Sequence, residues 1–419
     1  MFCDCIATFF DVQKPETGRC TVAIFFGKSR YNADFCILPA LLMTRSGTLF
    51  ILGGAIRPDH AAIWQEIIRA AGGTGCRIAV IAAASAQAAL KAGRICERLQ
   101  HYGAQTLTVP LSDEGQLPFS PAIAEDTSWA DAVSTCDGIY LSGGDQGRLH
   151  RLLFRGNGTD SAVLTAIRTV YARGGVIAGS SAGAAILSQH MLLDAGLSLP
   201  ALQRGLTIPT AICNGFGFVP AGMLIDQHAI ARGRYGRMLA AQLATSTAFS
   251  AGVDEDTALI LHEHNARVCG TGGVVLLDIR IAHCVSSPPL QASQVSLSLL
   301  RDGDSLDLRA WQIRANSNAS FVSLPASIAT EITPHNITDA FDGASLEAII
   351  AALIDSDACA CKVLAQNDDG PDYLLRFRKT IASRAWVQEQ HGVRRLSIAG
   401  LQLSAEPDTM RSINDSKSD

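Results

Sequence analysis

A serine surrounded by small residues is the clearest candidate for chemistry in this sequence. Residues 179–183 read Gly-Ser-Ser-Ala-Gly, directly after the apolar run 176–178 and before a helical stretch. This arrangement matches G-x-S-x-G, in which a sharp strand-to-helix turn lifts a serine hydroxyl above the edge of a sheet. The following helix N-terminus would offer N–H groups to a developing oxyanion. Ser181 is therefore a candidate nucleophile, with a tight structural turn as the alternative interpretation.

A serine hydroxyl needs a base, and His228 is the candidate. It follows the apolar run 223–225, at the end of another expected strand. Arg232, Arg234 and Arg237 come shortly after it, and the spacing of the last two places them on one side of a helix. Guanidinium groups beside a candidate base indicate a site for carboxylates. A solvated basic helix face remains the alternative for these arginines.

The elements that must position these residues follow a regular alternation. From residue 47 onward, short apolar strands alternate with amphipathic helices, with strands expected at 48–52, 77–83, 106–110, 138–141 and 176–178. Such alternation predicts an α/β fold, with a mostly parallel sheet and helices on both faces. Ligands of these sheets bind beyond the carboxyl ends of the strands, which is where the Ser181 turn is expected.

Changes in composition divide the chain into four parts. Residues 1–42 contain four cysteines and no clear period, and they predict a poorly ordered extension or a misassigned start, with the natural start near Met43. Residues 43–284 form the expected catalytic domain. Residues 285–405 predict a mostly β region, which either extends the main sheet or forms a second module. The polar residues 406–419 predict a disordered tail.

The overall composition argues against several classes of protein. The net charge of −5 gives no reason to expect a nucleic acid or an anionic membrane as partner. No apolar stretch approaches the roughly 18 residues that a membrane span needs. The twelve cysteines are scattered without CxxC spacing, which indicates reduced thiols and a cytoplasmic location. The His-Glu-His run at 262–264 lacks a third ligand, so we expect no metal site.

Four segments together resemble the cyanophycinases, in the serine peptidase family that also contains aspartyl dipeptidase. The segments are Gly-Gly-Asp-Gln at 143–146, the serine turn at 179–184, Asp-Gln-His at 226–228 with its three arginines, and Gly-Val-Asp-Glu-Asp-Thr-Ala at 252–258. The resemblance covers residues 47–284. It implies a class I glutamine amidotransferase-like fold, a homodimer, and hydrolysis of cyanophycin to β-Asp-Arg dipeptides. Cyanophycin is a poly-aspartate whose side-chain carboxyls each carry an arginine.

The resemblance also implies a role for individual residues. Ser181 would be the nucleophile and His228 the general base, with no metal or organic cofactor required. The backbone N–H groups of Gly144 and Ala182 would hold the oxyanion. Asp194 is the first choice for the acid that orients the imidazole, and Glu255 is the alternative. The implied substrate pocket consists of Gln146, Asp226, Gln227, Arg232, Arg234 and Arg237.

Three other classes of protein remain open from the sequence. An aspartyl or isoaspartyl dipeptidase would share the nucleophile, but it would not require the full set of arginines. An α/β-hydrolase esterase would normally have its histidine much further from the serine than His228 is from Ser181. A non-catalytic binding module is a poor explanation for Ser181, His228 and the arginines occurring together. The resemblance thus implies a serine-type exopeptidase, and the aspartyl or isoaspartyl dipeptidase remains the alternative.

Overall fold

The computed structural model describes residues 6–12, 20–26, 47–114, 117–324, 330–366, 370–390 and 392–408. The chain forms two compact units, Met1–Thr44 and Arg45–Asp419. In the first unit, β1 (Ile6–Val12) and β2 (Cys20–Phe26) pair in antiparallel fashion. The remainder of the predicted 1–42 extension, and residues 409–419 of the predicted tail, lie outside the described residues.

The second unit contains the other strands and the helices of the described chain. The first twelve strands of this unit are β3 (Thr48–Leu52), β4 (Arg77–Ile81), β5 (Gln105–Val109), β6 (Gly138–Leu141), β7 (Val176–Ser180), β8 (His190–Leu192), β9 (Ile212–Asn214), β10 (Met223–Gln227), β11 (Phe249–Val253), β12 (Thr257–His262), β13 (Asn265–Gly270) and β14 (Val274–Asp278). They are followed by β15 (His283–Val285), β16 (Gln291–Leu300), β17 (Ser305–Asp307), β18 (Gln312–Arg314), β19 (Ser320–Val322), β20 (Glu331–Ile332), β21 (Ala360–Ala365), β22 (Tyr373–Arg378), β23 (Arg384–Gln390) and β24 (Val393–Pro407). The α-helices are α1 (Ala61–Ala70), α2 (Ala88–His101), α3 (Thr127–Ser134), α4 (Gln146–Leu153), α5 (Ala162–Ala172), α6 (Ala182–Ala185), α7 (Ser198–Arg204), α8 (Tyr235–Thr245) and α9 (Ser345–Ile354), with a short 3-10 helix at Pro121–Glu125.

The predicted strands form the parallel half of a nine-stranded sheet. β5, β4, β6, β7 and β3 lie side by side and all run in the same direction. Alternate residues of β3 face opposite layers: Leu49 and Ile51 pack with α3, α4 and α5, whereas Phe50 and Leu52 pack with α1 and α2. Because both faces are covered, the inner strands β3, β4, β6 and β7 are almost continuously apolar, whereas β5 at the edge is not. The predicted α/β architecture is confirmed.

The sheet is mixed, and this corrects the expectation of a mostly parallel one. Beyond β3 it continues through β12, β13, β17 and β18, each antiparallel to its neighbour. The reason is local, because β12 and β13 are joined by only Glu263 and His264. A two-residue connection can join only antiparallel strands.

The second large sheet combines strands from both sides of residue 284. Its eleven strands follow the order β10-β11-β14-β16-β24-β22-β21-β20, with β15, β19 and β23 attached at the side. The mostly β C-terminal region is thus confirmed. Its strands β17 and β18 extend the first sheet, while its remaining strands belong to the second. β14 and β16 pair across residue 284, where the sequence predicts a domain boundary. The domain limits themselves remain a prediction.

The two sheets bring three strand ends to one place. β7 ends at Ser180, directly before Ser181, and the parallel strands β10 and β11 end at Gln227 and Val253. The residues that follow β10 and β11 include His228 and Glu255, so the candidate catalytic side chains lie together where these strands end. None of the helices in the described part of the chain has the length and apolar character of a membrane span.

Candidate active site

The turn that carries Ser181 is built by close backbone contacts. Ser181 has φ 51 and ψ −110, an uncommon conformation for a residue with a side chain. A Cβ atom on Gly179 would lie 2.1 Å from the carbonyl oxygen of Gly183. A Cβ atom on Gly183 would in turn lie 2.4 Å from the carbonyl oxygen of Leu141. Both flanking glycines are therefore required by space, and the strained serine is held above the sheet edge.

Ser181, His228 and Glu255 form a continuous chain of hydrogen bonds. The distance from Ser181 Oγ to His228 Nε2 is 2.9 Å, and that from His228 Nδ1 to Glu255 Oε1 is 2.6 Å. An ionised carboxylate can only accept hydrogen bonds, so Nδ1 donates its proton to Glu255. Nε2 is then free to accept the hydroxyl proton of Ser181. This geometry suits nucleophilic catalysis by a serine with a neutral histidine as base.

The structure places Glu255, and not Asp194, against the imidazole of His228. Both ring nitrogens of His228 are engaged, one by Ser181 and the other by Glu255. Asp194 is exposed and lines the cavity beside Ser181 instead. The pairing of β10 with β11 is the cause, because Gln227 aligns with Val253 and the residues that follow each strand emerge together. A sequence signal for this existed in the Asp-Glu-Asp segment, which directly follows residues 249–253, the stretch that forms β11.

The imidazole of His228 is fixed by its backbone and by a glycine. The residue has φ 50, and its N–H group donates to the carbonyl oxygen of Gly53 at 3.0 Å. Gly54, with φ 104, passes directly under the ring. A Cβ atom at Gly54 would lie 2.5 Å from His228 Nε2. The Gly-Gly pair after β3 thus forms the surface on which the His228 ring packs.

The surroundings of His228 keep it in the base form. Burial is the largest influence and lowers the pKa of His228 below its usual value of 6.5. The hydrogen bond to Glu255 raises the pKa, but nearby Arg232 and Arg234 lower it further. Because the net shift is downward, the imidazole is neutral at neutral pH and can accept a proton.

A cavity of about 310 Å³ opens beside the serine. Its wall is predominantly polar. These lining residues are Gly144, Gln146, Ser181, Leu192, Leu193, Asp194, Ala195, Gly196, Gln227, Arg232, Arg234 and Arg237. Five of the six residues predicted for the substrate pocket therefore meet at one cavity, and Asp226 is the exception.

Asp226 lies behind the cavity wall as the partner of an arginine. It is 1% exposed, and its two carboxylate oxygens accept hydrogen bonds from Arg237 Nε at 2.7 Å and Nη2 at 2.6 Å. Arg234 Nη1 lies 3.6 Å from the same carboxylate. A buried bidentate pair of this kind positions the arginine and leaves the aspartate no free face for a ligand.

The three arginines differ in how freely they can bind a ligand. Arg237 is 7% exposed, and its remaining Nη1 donates to the carbonyl oxygen of Gly196 at 2.9 Å. Arg234 donates to the carbonyl oxygen of Gln227, and burial lowers its pKa to about 10. Arg232 is exposed, and its guanidinium has neither an ion pair nor a hydrogen bond to any residue that the structure describes. Arg232 is thus the guanidinium most available to a carboxylate.

Two glutamines of the predicted pocket also have partners. Gln146 Nε2 donates to the carbonyl oxygens of Leu192 and Leu193, at 2.9 and 3.0 Å. Gln227 Oε1 lies 3.2 Å from Ser181 Oγ and offers this hydroxyl a second acceptor. Gln146 therefore orders the cavity wall, whereas Gln227 contacts the reacting hydroxyl.

The residues predicted for the oxyanion site flank Ser181. Ala182 follows it as the first residue of α6, and Gly144 lines the same cavity. Gly144 has φ 152, and a Cβ atom there would lie 2.1 Å from the carbonyl oxygen of Ala84. Close packing therefore excludes a side chain at Gly144, as expected where backbone must approach a ligand.

Comparison with known protein families decides the relationship. The family model described as peptidase family S51 matches residues 56–269, just over half of the chain. The chain belongs to peptidase family S51. The S51 match includes Ser181, His228 and Glu255 together with the three arginines of the cavity. The strands from β14 onward lie beyond it.

Individual relatives extend this picture. The chain is 34% identical over 201 residues to the cyanophycinase of Synechococcus elongatus, covering 46% of this chain and 59% of the relative. It is 30% identical over 274 residues to the cyanophycinase of Trichormus variabilis, covering 62% of this chain and 85% of the relative. The first of these matches thus spans less than two thirds of the relative's length. Among solved structures, a peptidase from an acI-B1 actinobacterium matches with a TM-score of 0.47 and 18% identity, covering 63% of this chain and 98% of that one.

Proposed function

We propose that this S51 protein is a serine-type exopeptidase that hydrolyses cyanophycin to β-Asp-Arg dipeptides through an acyl-enzyme on Ser181. The observation that carries the proposal is the hydrogen-bonded chain of Ser181, His228 and Glu255 at the edge of a cavity lined by arginines. The names of the relatives support the choice of polymer.

The arrangement performs acylation by moving one proton. His228 Nε2 takes the proton of Ser181 as Oγ forms a bond with the scissile carbonyl carbon. The N–H groups of Gly144 and Ala182 hold the resulting oxyanion. When the carbon–nitrogen bond breaks, His228 returns the proton to the departing amine. Glu255 stays ionised throughout and stabilises the imidazolium that forms between these two transfers.

Deacylation repeats the same steps with water. A water molecule gives one proton to His228 while its oxygen bonds to the acyl carbon. Collapse of the second tetrahedral intermediate breaks the bond to Ser181 Oγ, and His228 returns the proton to this oxygen. The free enzyme and a carboxylic acid result. The acid then releases its remaining proton to solvent and becomes a carboxylate, so atoms and charges balance.

Charge complementarity favours this substrate class. Each arginine carried by the polymer presents a free α-carboxylate. Arg232 lines the cavity beside Ser181, and its guanidinium has no partner among the described residues. Arg234 and Arg237 add positive charge to the same wall, partly balanced by the buried Asp226. A cavity with this surplus of cations favours anionic ligands.

A fold subclass, an oligomeric state and a cellular location are proposed together with the activity. The parallel order β5-β4-β6-β7-β3 supports a class I glutamine amidotransferase-like arrangement of the catalytic domain at 43–284. The homodimer rests on the family resemblance. The cytoplasmic location rests on the scatter of the cysteines in the sequence. An aspartyl or isoaspartyl dipeptidase acting on short peptides is the alternative, since a cavity of about 310 Å³ suits a small ligand.

The decisive experiment follows soluble products released from cyanophycin granules. Purified protein is incubated with the polymer, and β-Asp-Arg is measured by mass spectrometry. We expect release by the wild type and by Ser180→Ala, and a loss of about 10³-fold or more with Ser181→Ala. Cleavage of short aspartyl peptides without release from the polymer would establish the dipeptidase alternative instead. Equal activity of Ser180→Ala and Ser181→Ala would contradict the assignment of the nucleophile.

A further inference from the structure

A second cavity of about 300 Å³ adjoins the one that contains Ser181. The two cavities share the segment formed by Asp194, Ala195 and Gly196. The rest of the second cavity is lined by α7 and by the chain that leads from it toward β9. We call residues 192–196 the partition, because they form the wall between the two cavities.

The partition is held from both sides. On the side of the first cavity, Gln146 donates to the carbonyl oxygens of Leu192 and Leu193, and Arg237 donates to that of Gly196. On the other side, the N–H groups of Leu193 and Asp194 donate to the carbonyl oxygen of Ala211, at 2.8 and 3.3 Å. Ala211 lines the second cavity. These bonds order the backbone of the wall and leave the carboxylate of Asp194 at its surface.

The second cavity contains two opposite charges without partners. Asp194 and Arg204 both line it, and both are exposed. Neither has an ion pair with any residue in the described part of the chain. Thr207 and Thr210 add hydroxyl groups at the same wall, with their Oγ1 atoms 2.5 Å apart. A ligand that carries both a carboxylate and a cationic group would satisfy this wall.

We propose that the second cavity is a subsite for the repeat unit next to the unit bound at Ser181. Arg204 binds the free α-carboxylate of that neighbouring unit, and Asp194 binds its guanidinium group. The inference rests on the proposed function, because only a repeating zwitterionic polymer would present these groups to both cavities at once. Occupation of both sides of the partition makes a longer oligomer bind more tightly than a single dipeptide.

Binding measurements separate the two cavities without requiring turnover. Ser181→Ala protein is titrated calorimetrically with the β-Asp-Arg dipeptide and with an oligomer of four repeat units. We expect the oligomer to bind about tenfold more tightly than the dipeptide, and Arg204→Gln in the same background to remove most of that difference. Arg204→Lys retains the charge and should keep most of the advantage. Arg94→Gln, at an exposed position on α2, should bind both ligands as the Ser181→Ala protein does.

The outcomes distinguish this inference from the proposed function. Unchanged oligomer affinity in the Arg204→Gln protein, or an equal loss for dipeptide and oligomer, would overturn the subsite. If the wild type still released dipeptides from the polymer in that case, the proposed function would stand alone. If the wild type released none, but oligomer binding depended on Arg204, the subsite would stand and the hydrolysis of this polymer would fall. A failure of both ligands to bind, together with no release, would overturn both.

Discussion

At the scale of single residues, the site joins a strained serine to a buried, neutral imidazole. Ser181 and His228 both have positive φ values, 51 and 50. Such conformations cost about 1–3 kcal/mol each and persist only where the surroundings hold them. Here the surroundings include three glycines whose missing side chains leave room for close backbone contact. The two strained conformations thus lower the stability locally, but they place the hydroxyl of Ser181 against the imidazole of His228.

The assignment of Glu255 as the orienting acid predicts unequal effects of two carboxylate substitutions. Glu255→Gln should lower kcat by roughly 10²- to 10⁴-fold, because the amide no longer stabilises the imidazolium or holds the reactive tautomer. Asp194→Asn, which alters a cavity wall, should cost roughly tenfold or less. Steady-state kinetics on soluble oligomers measures both, and a larger loss for Asp194→Asn would reverse the assignment.

The pH profile should report His228 directly. A lowered pKa keeps the imidazole neutral to below pH 6.5, so kcat/KM stays high there and falls only as His228 becomes protonated. Arg232→Ala removes a neighbouring positive charge that lowers this pKa, and should move the acid limb to higher pH. Glu255→Gln removes influences that raise the pKa, and should move the limb to lower pH. Shifts of both variants in the same direction would contradict this electrostatic account.

At the scale of elements, the segments that follow β3, β7 and β11 place the groups that surround His228. The Gly-Gly pair that follows β3 passes beneath His228, and the segment after β11 brings Glu255 to its other nitrogen. β7 contributes the serine through a turn that only glycines can close. Each element supplies one contact, so a small displacement of any strand end would break the hydrogen-bonded chain.

Two glycines with similar φ values allow a matched test of this packing. Gly54 has φ 104 and a Cβ there would overlap the His228 ring, whereas Gly72 has φ 109 and nothing within 4 Å of its Cβ position. Gly54→Ala should therefore reduce kcat/KM by about 100-fold, because displacement of a catalytic group by about 1 Å has this effect. Gly72→Ala carries the same backbone strain and should keep its activity. Similar losses in both variants would assign the effect to strain alone.

At the scale of the whole second unit, the C-terminal region supports the arginines from behind. Phe341 packs on Tyr235 with ring centroids 5.0 Å apart, and the Tyr235 hydroxyl donates to the carbonyl oxygen of Ala340. A Cβ atom on Gly233 would collide with the carbonyl oxygen of Phe341. The backbone that carries Arg232 and Arg234 thus rests on residues well beyond the S51 match.

Substitution of the supporting phenylalanine should show this dependence. Phe341→Ala should lower the free energy of unfolding by about 1–3 kcal/mol through loss of half-buried packing, and should raise KM as the arginine segment loosens. Phe321, 69% exposed, provides the control, and Phe321→Ala should change neither quantity appreciably. Thermal denaturation and oligomer kinetics measure the two effects. An unchanged KM in a destabilised Phe341→Ala protein would limit the C-terminal region to a role in stability.

Local patterns in the sequence were enough to predict much of the fold. The apolar runs at 48–52 and 138–141 became β3 and β6 with the same limits, and the Gly-Ser-Ser-Ala-Gly turn placed Ser181 correctly after β7. These features depend on near neighbours along the chain: side-chain periodicity, and the space that glycines leave. The antiparallel pairing of β12 with β3 was missed, because strand pairing between distant segments leaves no local signal of direction.

The residue types of the site were determined by the sequence, which supplied a serine, a histidine, two candidate acids and a run of arginines. Only the tertiary structure decided how they combine. The register of β10 with β11 brings Glu255 to His228, while Asp194 faces two cavities instead. The burial of Asp226 against Arg237 likewise follows from packing, and of the three arginines only Arg232 has a side chain without a partner in the described part of the chain. The physical reason is the same in each case: a hydrogen-bond partner is chosen by distance in space, and strand pairing rather than sequence separation sets that distance.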